Sequence, residues 1–357
     1  MVNAAILLFM LVGCAVSSAA GLKGQSPFKI LSLSGGGYLG LYSASVLAAL
    51  EERIGEPIHT RFDLIAGTSV GGIIALGLAA GVRAADIRDV FRSKGIEIFS
   101  GRGAPKGPVS ALWDICRSVL RPKYSNAALR KVIVSLVGEE RRLGDLDRPV
   151  LVPAVNLTKG GPQVFKTPHH PHFQRDKLLK VVDVALATSA APTFFPVAEI
   201  GSSLYADGGL FANSPDLMAV HEAEHFFKIP RERIQLLSIG TTTSSFSFSH
   251  STSRELGLIG WAKNQRLIQA TMASQQQMVH HMLEHSLDDR YFRIDTLQSA
   301  EQQKDLVLDV ANEAAQKTLI GLADASSQEA INHKLVLDML SRRADTTLFI
   351  EPRMDLR

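Results

Sequence analysis

The stretch FDLIAGTSVGGIIALGLAA, residues 62–80, decides the fold. Phe62 to Ala66 is a short apolar run of the kind that forms a buried strand. Gly71 to Ala80 is apolar on every side, which predicts a helix enclosed by protein. Between them stands Gly67-Thr68-Ser69-Val70-Gly71, a Gly-x-Ser-x-Gly pentad. A strand that turns sharply into a helix projects the serine hydroxyl from the bend, and the glycines keep neighbouring side chains from blocking it. The helix N-terminus then faces any negative charge that develops at the serine. The pentad alone carries little information. The strand before it and the helix after it make Ser69 a candidate nucleophile.

Upstream, Phe28 to Leu33 reads as a buried strand ending in the glycine turn Gly35-Gly36-Gly37, and Leu41 to Arg53 has helical periodicity. Downstream, strands are expected at Pro149–Val155, Gln163–Phe165, Ser203–Tyr205 and Ile234–Ile239. Helices are expected at Asn126–Leu136, Leu178–Ala187 and Pro215–Phe227. This alternation implies an α/β fold with a largely parallel central sheet. From Arg254 the pattern turns helical, over Arg254–His285, Ala300–Leu322 and Gln328–Arg342. The expected division is an apolar N-terminal segment (1–26), a catalytic domain (27–245) and a mainly helical cap or flank (246–357). Gly95 to Lys123, rich in Gly, Pro and basic residues, reads as a lid or a solvated loop.

The 357 residues are 46% hydrophobic and 20% charged, ample for a buried core. The 38 basic and 35 acidic residues leave a net charge of +3, too balanced to argue for a nucleic acid polymer as partner. Cys14 and Cys116 can build neither a disulfide framework nor a cysteine zinc site. Ala4 to Val16 has the length of a signal-peptide core, and Leu11-Val12-Gly13-Cys14 resembles a lipobox. No Lys or Arg precedes the run, so export, lipidation and a loose helix on the body all stay open.

A serine needs a base. A histidine, as in a triad, or a carboxylate acting directly would serve. Asp207, in Ala206-Asp207-Gly208-Gly209, ends a short apolar run, and its glycines allow close approach to another loop. A carboxylate is a weak base in water, but a dry cleft raises its basicity. The backbone N–H groups of Gly35, Gly36 and Gly37 offer donors for an oxyanion. Gly35, Gly37 and Gly40 also match a dinucleotide fingerprint, but no acidic residue ends the second strand. No Gly-Lys-Ser or Gly-Lys-Thr follows the glycines, which excludes a Walker A loop.

Gly35-Gly36-Gly37-Tyr38-Leu39-Gly40, Gly67-Thr68-Ser69-Val70-Gly71 and Asp207-Gly208-Gly209, in that order, resemble the motifs of patatin-like phospholipases. Ala187-Thr188-Ser189-Ala190-Ala191-Pro192 is similar to the family's segment ahead of the aspartate. The resemblance covers about residues 28–241. It implies a three-layer patatin-like fold and a Ser69–Asp207 dyad. Gly35 to Gly37 would form the oxyanion hole, supported by Gly40, Gly67, Gly71, Gly208 and Gly209. It also implies hydrolysis of membrane phospholipid esters with no cofactor or metal. Leu39 stands where the family usually has Arg or Lys, which puts rate or headgroup preference in question. Ser34 to Tyr38, the total length and Gly260-Trp261-Ala262-Lys263-Asn264 look most like bacterial members activated by a 3′,3′-cyclic dinucleotide such as cyclic GMP–AMP in antiphage defence. Such a likeness implies a cytoplasmic or inner-membrane location and leaves the effector pocket unassigned. The C-terminal helices could support a homodimer.

Other readings compete. A constitutive or exported lipid esterase and a non-catalytic nucleotide or lipid receptor would carry the same motifs. A Ser-His-Asp triad is disfavoured because Ser69 follows only the second strand. His221-Glu222-Ala223-Glu224-His225 matches the zinc pattern H-E-x-x-H but reads better as the polar side of an amphipathic helix. His169, His170 and His172 read as a solvated loop, and His280, His281 and His285 as a helix surface. Met272, Met278 and Met282 read as core or as a pliable lipid surface.

Overall fold

The computed structural model describes residues 26–99, 122–242, 247, 257, 260–261 and 266–344. The N-terminal apolar segment with Cys14, most of the basic stretch with Cys116, and most of residues 243–265 lie outside the described residues.

The chain alternates as expected. Strand β1 (Phe28–Leu33) leads through the glycine turn into helix α1 (Gly40–Ile54), and β2 (Leu64–Gly67) leads through the pentad into α2 (Val70–Ala79). Helices α3 (Ala84–Phe99) and α4 (Asn126–Val137) precede β3 (Val150–Asn156) and β4 (Gly161–Lys166). Then come α5 (Val181–Thr188), β5 (Ala198–Ile200), β6 (Ser203–Asp207), α6 (Asp216–His225) and β7 (Ile234–Ile239). All ten residues of α2 are buried, as its uniformly apolar sequence requires.

Among the described residues the sheet has eight strands, counting β8 (Tyr291–Ile294), in the order β5-β6-β3-β2-β1-β7-β8, with β4 also paired to β3. Pairings among β3, β2, β1, β7 and β8 are parallel, and β4, β5 and β6 run antiparallel to their partners. Side chains alternate between two apolar clusters, as the pleat demands. Leu31, Leu33, Ile65, Val152 and Leu237 meet α1, α2, α4 and α5 on one face. Ile30, Leu64, Ala66, Leu151 and Leu236 meet α6 and the long helix α7 (Arg266–Leu287) on the other. The result is a three-layer α/β fold.

The register around β3 positions the site. Leu151 pairs with Lys166 of β4 and with Ala66 of β2, so β2 and β4 lie on opposite edges of β3. Ala154 pairs with Gln163 of β4 and with Asp207 of β6, so β6 also lies opposite β4. Strands β2 and β6 therefore share one edge of β3 in succession, running toward each other. The ends that carry Ser69 and Asp207 meet head to head.

The C-terminal segment differs from its sequence reading. Strand β8 (Tyr291–Ile294) joins the sheet parallel to β7, so the segment extends the central layer as well as flanking it. The helix expected over 300–322 begins instead at Glu313, where the Asn312 side chain accepts the Ala315 N–H at 2.8 Å and caps α8 (Glu313–Ile331). The helix expected over 328–342 is broken at Asn332 and His333. Only α9 (Lys334–Ser341) remains as a separate piece.

Candidate active site

Ser69 has φ 54° and ψ −124°, a backbone conformation that a side chain disfavours. Its neighbours hold the bend. Ser69 N–H donates to Thr188 Oγ at 3.0 Å, and that hydroxyl donates to the Pro153 carbonyl at 2.7 Å. Thr68 donates through its N–H to Leu33 O at 3.1 Å and through its hydroxyl to Ala212 O at 2.6 Å. A β-carbon at Gly71 would fall 2.4 Å from Leu33 O, so only glycine lets α2 start this close to β1.

Ser69 Oγ donates to Asp207 Oδ2 at 2.7 Å, and Gly209 N–H donates to Asp207 Oδ1 at 2.7 Å. Asp207 is buried, which pushes its carboxyl up to about 6; the hydrogen bonds from Ser69 and Gly209 oppose that rise. The carboxylate is thus ionised at neutral pH and a better proton acceptor than an exposed one. No histidine among the described residues lines the surrounding cleft, so the geometry pairs Ser69 with a carboxylate.

Hydrogen bonds pin the glycine turn. Gly35 N–H donates to Asn213 O at 3.0 Å, and Gly35 O accepts from Thr241 Oγ at 3.0 Å. Tyr38 N–H donates to Leu308 O at 2.8 Å, and Leu39 N–H to Gly36 O at 3.1 Å. Of the three expected oxyanion donors, Gly35 is therefore engaged in the turn itself. The N–H groups of Gly36 and Gly37 have no protein partner among the described residues, and both glycines line the cleft with Ser69. Gly37 holds φ +57°, the left-handed region, which re-aims the turn there. Leu39 is buried in the apolar core and contributes nothing to the cleft wall.

A cleft opens over Ser69 and Asp207. Apart from Ser69, Asp207, Ser189, Asn213 and the glycine backbone, its wall is apolar, with Ile73, Phe99, Phe195, Ile268 and Met272 among the larger contributors. Such a pocket suits an acyl chain lying over a polar reacting end. Met272 belongs to this wall, whereas Met278 and Met282 are exposed.

Two histidines, His169 and His280, differ from their sequence reading, while His172, His221, His225, His281 and His285 are exposed as read. His169 is buried. Its Nε2 lies 2.9 Å from Glu222 Oε1 and its Nδ1 2.8 Å from Thr167 Oγ, and its ring stacks on Phe227. His280 is half-buried beside Ser214 Oγ at 3.3 Å because α7 turns it toward β8. Glu222 of the H-E-x-x-H match is turned inward to Lys166 Nζ at 2.6 Å and to His169, while His221 and His225 stack in solvent. Among the described residues no three His, Cys, Asp or Glu side chains converge on a metal-sized space.

Sequence reasoning did not assign roles to Thr188, Asn213, Thr241 or Leu308. Thr188 lies in the segment already noted ahead of the aspartate, and Asn213 follows Asp207-Gly208-Gly209 closely, so both had a local signal. Thr241 and Leu308 had none, because only the tertiary fold brings them to the glycine turn.

The family model described as patatin-like phospholipase matches residues 31–220. A cGAMP-activated phospholipase of Pseudomonas aeruginosa (strain BWHPSA011 / Pa011) is 39% identical over 330 residues, 92% of this chain and 96% of that protein. A cGAMP-activated phospholipase of Escherichia coli (strain TW11681) is 37% identical over 331 residues, 86% of this chain and 91% of that one. A third, from Vibrio cholerae serotype O1 (strain ATCC 39315 / El Tor Inaba N16961), is 37% identical over 343 residues, 89% and 95% of the two chains.

Proposed function

This chain belongs to the patatin-like phospholipase family, and from that premise we propose that it hydrolyses acyl esters of membrane phospholipids with Ser69 as nucleophile and Asp207 as base. The observation that carries the reading is the 2.7 Å hydrogen bond from Ser69 Oγ to Asp207 in an apolar cleft. Asp207 takes the Ser69 proton as Oγ attacks the ester carbonyl. The carbonyl oxygen becomes an oxyanion, and Gly36 and Gly37 N–H donate to it beside the N-terminus of α2. Collapse expels the glycerol oxygen, which receives the proton from Asp207. Water then attacks the acyl-serine while Asp207 takes one of its protons. Free fatty acid leaves and the Ser69 hydroxyl is restored.

Control by a 3′,3′-cyclic dinucleotide belongs to the same proposal, because three relatives that match 92%, 86% and 89% of the chain are named for activation by cGAMP. The substrate would then be the host's own bilayer reached from the cytoplasmic side, as an antiphage response requires, and the active form a homodimer. The test is fatty-acid release from phospholipid vesicles by wild type, Ser69→Ala and Asp207→Ala, each with and without 3′,3′-cyclic GMP–AMP. Release by wild type alone supports the dyad, and equal release by all three sinks it. Full wild-type activity without nucleotide removes the switch and leaves a constitutive esterase. Nucleotide binding with no hydrolysis under any condition leaves a receptor. Activity lost in a chelator and restored by zinc would replace the dyad with metal chemistry.

A further inference from the structure

Asp309 takes no part in the reaction scheme, yet it is buried where the glycine turn meets the acyl wall. Its neighbour Leu308 supports the turn directly. The Leu308 carbonyl accepts Tyr38 N–H at 2.8 Å, and a β-carbon at Gly37 would fall 2.2 Å from that same oxygen. The Leu308 backbone therefore sets how far the Gly36 and Gly37 N–H groups stand from Ser69, and its side chain lines the cleft.

The Asp309 carboxylate accepts from the Lys123 ammonium and from the Tyr124 hydroxyl, the latter at 3.0 Å. Lys123 and Tyr124 are themselves tied to the cleft wall, donating their N–H groups to Thr193 O at 2.9 Å and Phe194 O at 2.8 Å. The Tyr124 ring packs against Phe99 and Phe195 with centroids 5.8 Å away in each case. A buried carboxylate is tolerated only when paired in this way, so the pairing fixes the carboxylate and with it the adjoining Leu308 backbone.

We propose that Asp309 is a positioning residue for the oxyanion donors, holding the Leu308 carbonyl against Gly37 and Tyr38 through its bonds to Lys123 and Tyr124. This rests on the hydrolase reading above. Loosening the anchor lets the turn drift, and a drift of about 1 Å at a reacting centre is enough to cost on the order of 100-fold in rate. The loss falls on the transition state, since the donors meet the oxyanion and a short ester barely touches the aromatic wall.

The test uses the full chain with 3′,3′-cyclic GMP–AMP present and p-nitrophenyl butyrate as a soluble ester. Steady-state kinetics, fluorophosphonate labelling of Ser69 and melting temperature are measured for wild type, Asp309→Asn and Asp309→Ala. The expected result is a kcat about 10- to 100-fold lower in Asp309→Ala with KM within about twofold of wild type. Asp309→Asn, which keeps an acceptor for Tyr124, falls between, and labelling slows in parallel in both. If Asp309→Ala does not fold, Asp309→Asn decides. A folded variant with wild-type kcat overturns the proposal, as does a rise in KM at constant kcat, which would make Asp309 a support of the wall only. Wild type that neither cleaves the ester nor takes the fluorophosphonate at Ser69 overturns the hydrolase reading itself.

Discussion

Asn213 holds Gly35 by both of its backbone groups. Gly35 N–H donates to the Asn213 carbonyl at 3.0 Å, and Asn213 Nδ2 donates back to Gly35 O at 3.4 Å. A β-carbon at Gly35 would lie 2.5 Å from Asn213 Oδ1, so the asparagine fits only against a glycine. Asn213 follows the strand that delivers Asp207, while Gly35 opens the turn that offers the oxyanion donors. The pair couples the two halves of the site. The neighbouring Ser214 is held in turn by Gln275 of α7, which accepts from its N–H at 3.1 Å and donates to its carbonyl at 3.2 Å.

Asn213→Ala is therefore expected to lower kcat on a soluble ester by about 10- to 100-fold with little change in KM. Asn213→Asp should do more. It sets a second buried carboxylate near Asp207 and pushes the base upward, so the acidic limb of the pH–rate profile moves to higher pH. A profile unchanged from wild type would separate Asn213 from the base.

The Asp207 carboxyl, raised to about 6, gives a directional pH dependence. kcat/KM rises as pH climbs through about 6 and the base ionises. Stability moves the other way. The folded carboxyl binds its proton more tightly than the unfolded one, so at neutral pH the buried charge is a penalty, relieved as pH falls from about 6 toward its ordinary value. Asp207→Asn should abolish hydrolysis and raise stability by roughly 1–3 kcal/mol at pH 7. An inactive variant that melts below wild type would contradict this.

His280 supplies the opposite slope. Burial and the Arg293 charge hold it down to about 4, against the pull of Asp216 and Asp295. As pH falls below about 6.5 the unfolded chain takes this proton and the folded one does not, so stability is lost down to about pH 4 and then levels. Burial lowers His169 in the same direction. Replacing His280 with Gln should flatten the fall between pH 6.5 and 4 by on the order of 2 kcal/mol, measured by urea denaturation across that range. An unchanged slope would place the loss elsewhere.

What could be read from sequence followed how local each feature is. The pentad, the glycine turn and the aspartate with its glycines obey short-range rules, so the bend at Ser69, the strand end at Asp207 and the buried helix α2 are legible. The meeting of β2 and β6 on one edge of β3 depends on register across more than a hundred residues of chain, and no local pattern encodes it. Strand β8 is only four residues long and sits among polar segments, so periodicity missed it. His169 looked solvated because its loop is polar; its burial comes from Glu222 on a distant helix. The engagement of Gly35 was hidden for the same reason. It rests on Asn213 and Thr241, far away in the chain.

Thr188 is the peg under the elbow, accepting from Ser69 N–H and donating to Pro153 O. Thr188→Val keeps the shape and removes both bonds, leaving the half-buried Ser69 N–H and the buried Pro153 carbonyl without this partner. The expected cost is about 1–3 kcal/mol of stability together with a fall in kcat. Thr188→Ser keeps the hydroxyl and should restore most of the rate. Equal kcat in the Val and Ser variants would show that the strained turn needs no peg.

Leu39 closes the short helical turn that begins at Gly37. The family's positive charge at this position invites the restoring change Leu39→Arg. The side chain it would replace is 5% exposed and packed in the apolar core, away from the cleft. A guanidinium placed there would be desolvated without a partner, a cost of several kcal/mol. Leu39→Arg should therefore lower the melting temperature sharply and yield no faster enzyme. Leu39→Met, similar in volume and apolar, should cost less than about 1.5 kcal/mol and leave kcat unchanged. A stable Leu39→Arg variant with raised kcat would mean that the arginine reaches the oxyanion from this position, and that the turn can rearrange to let it.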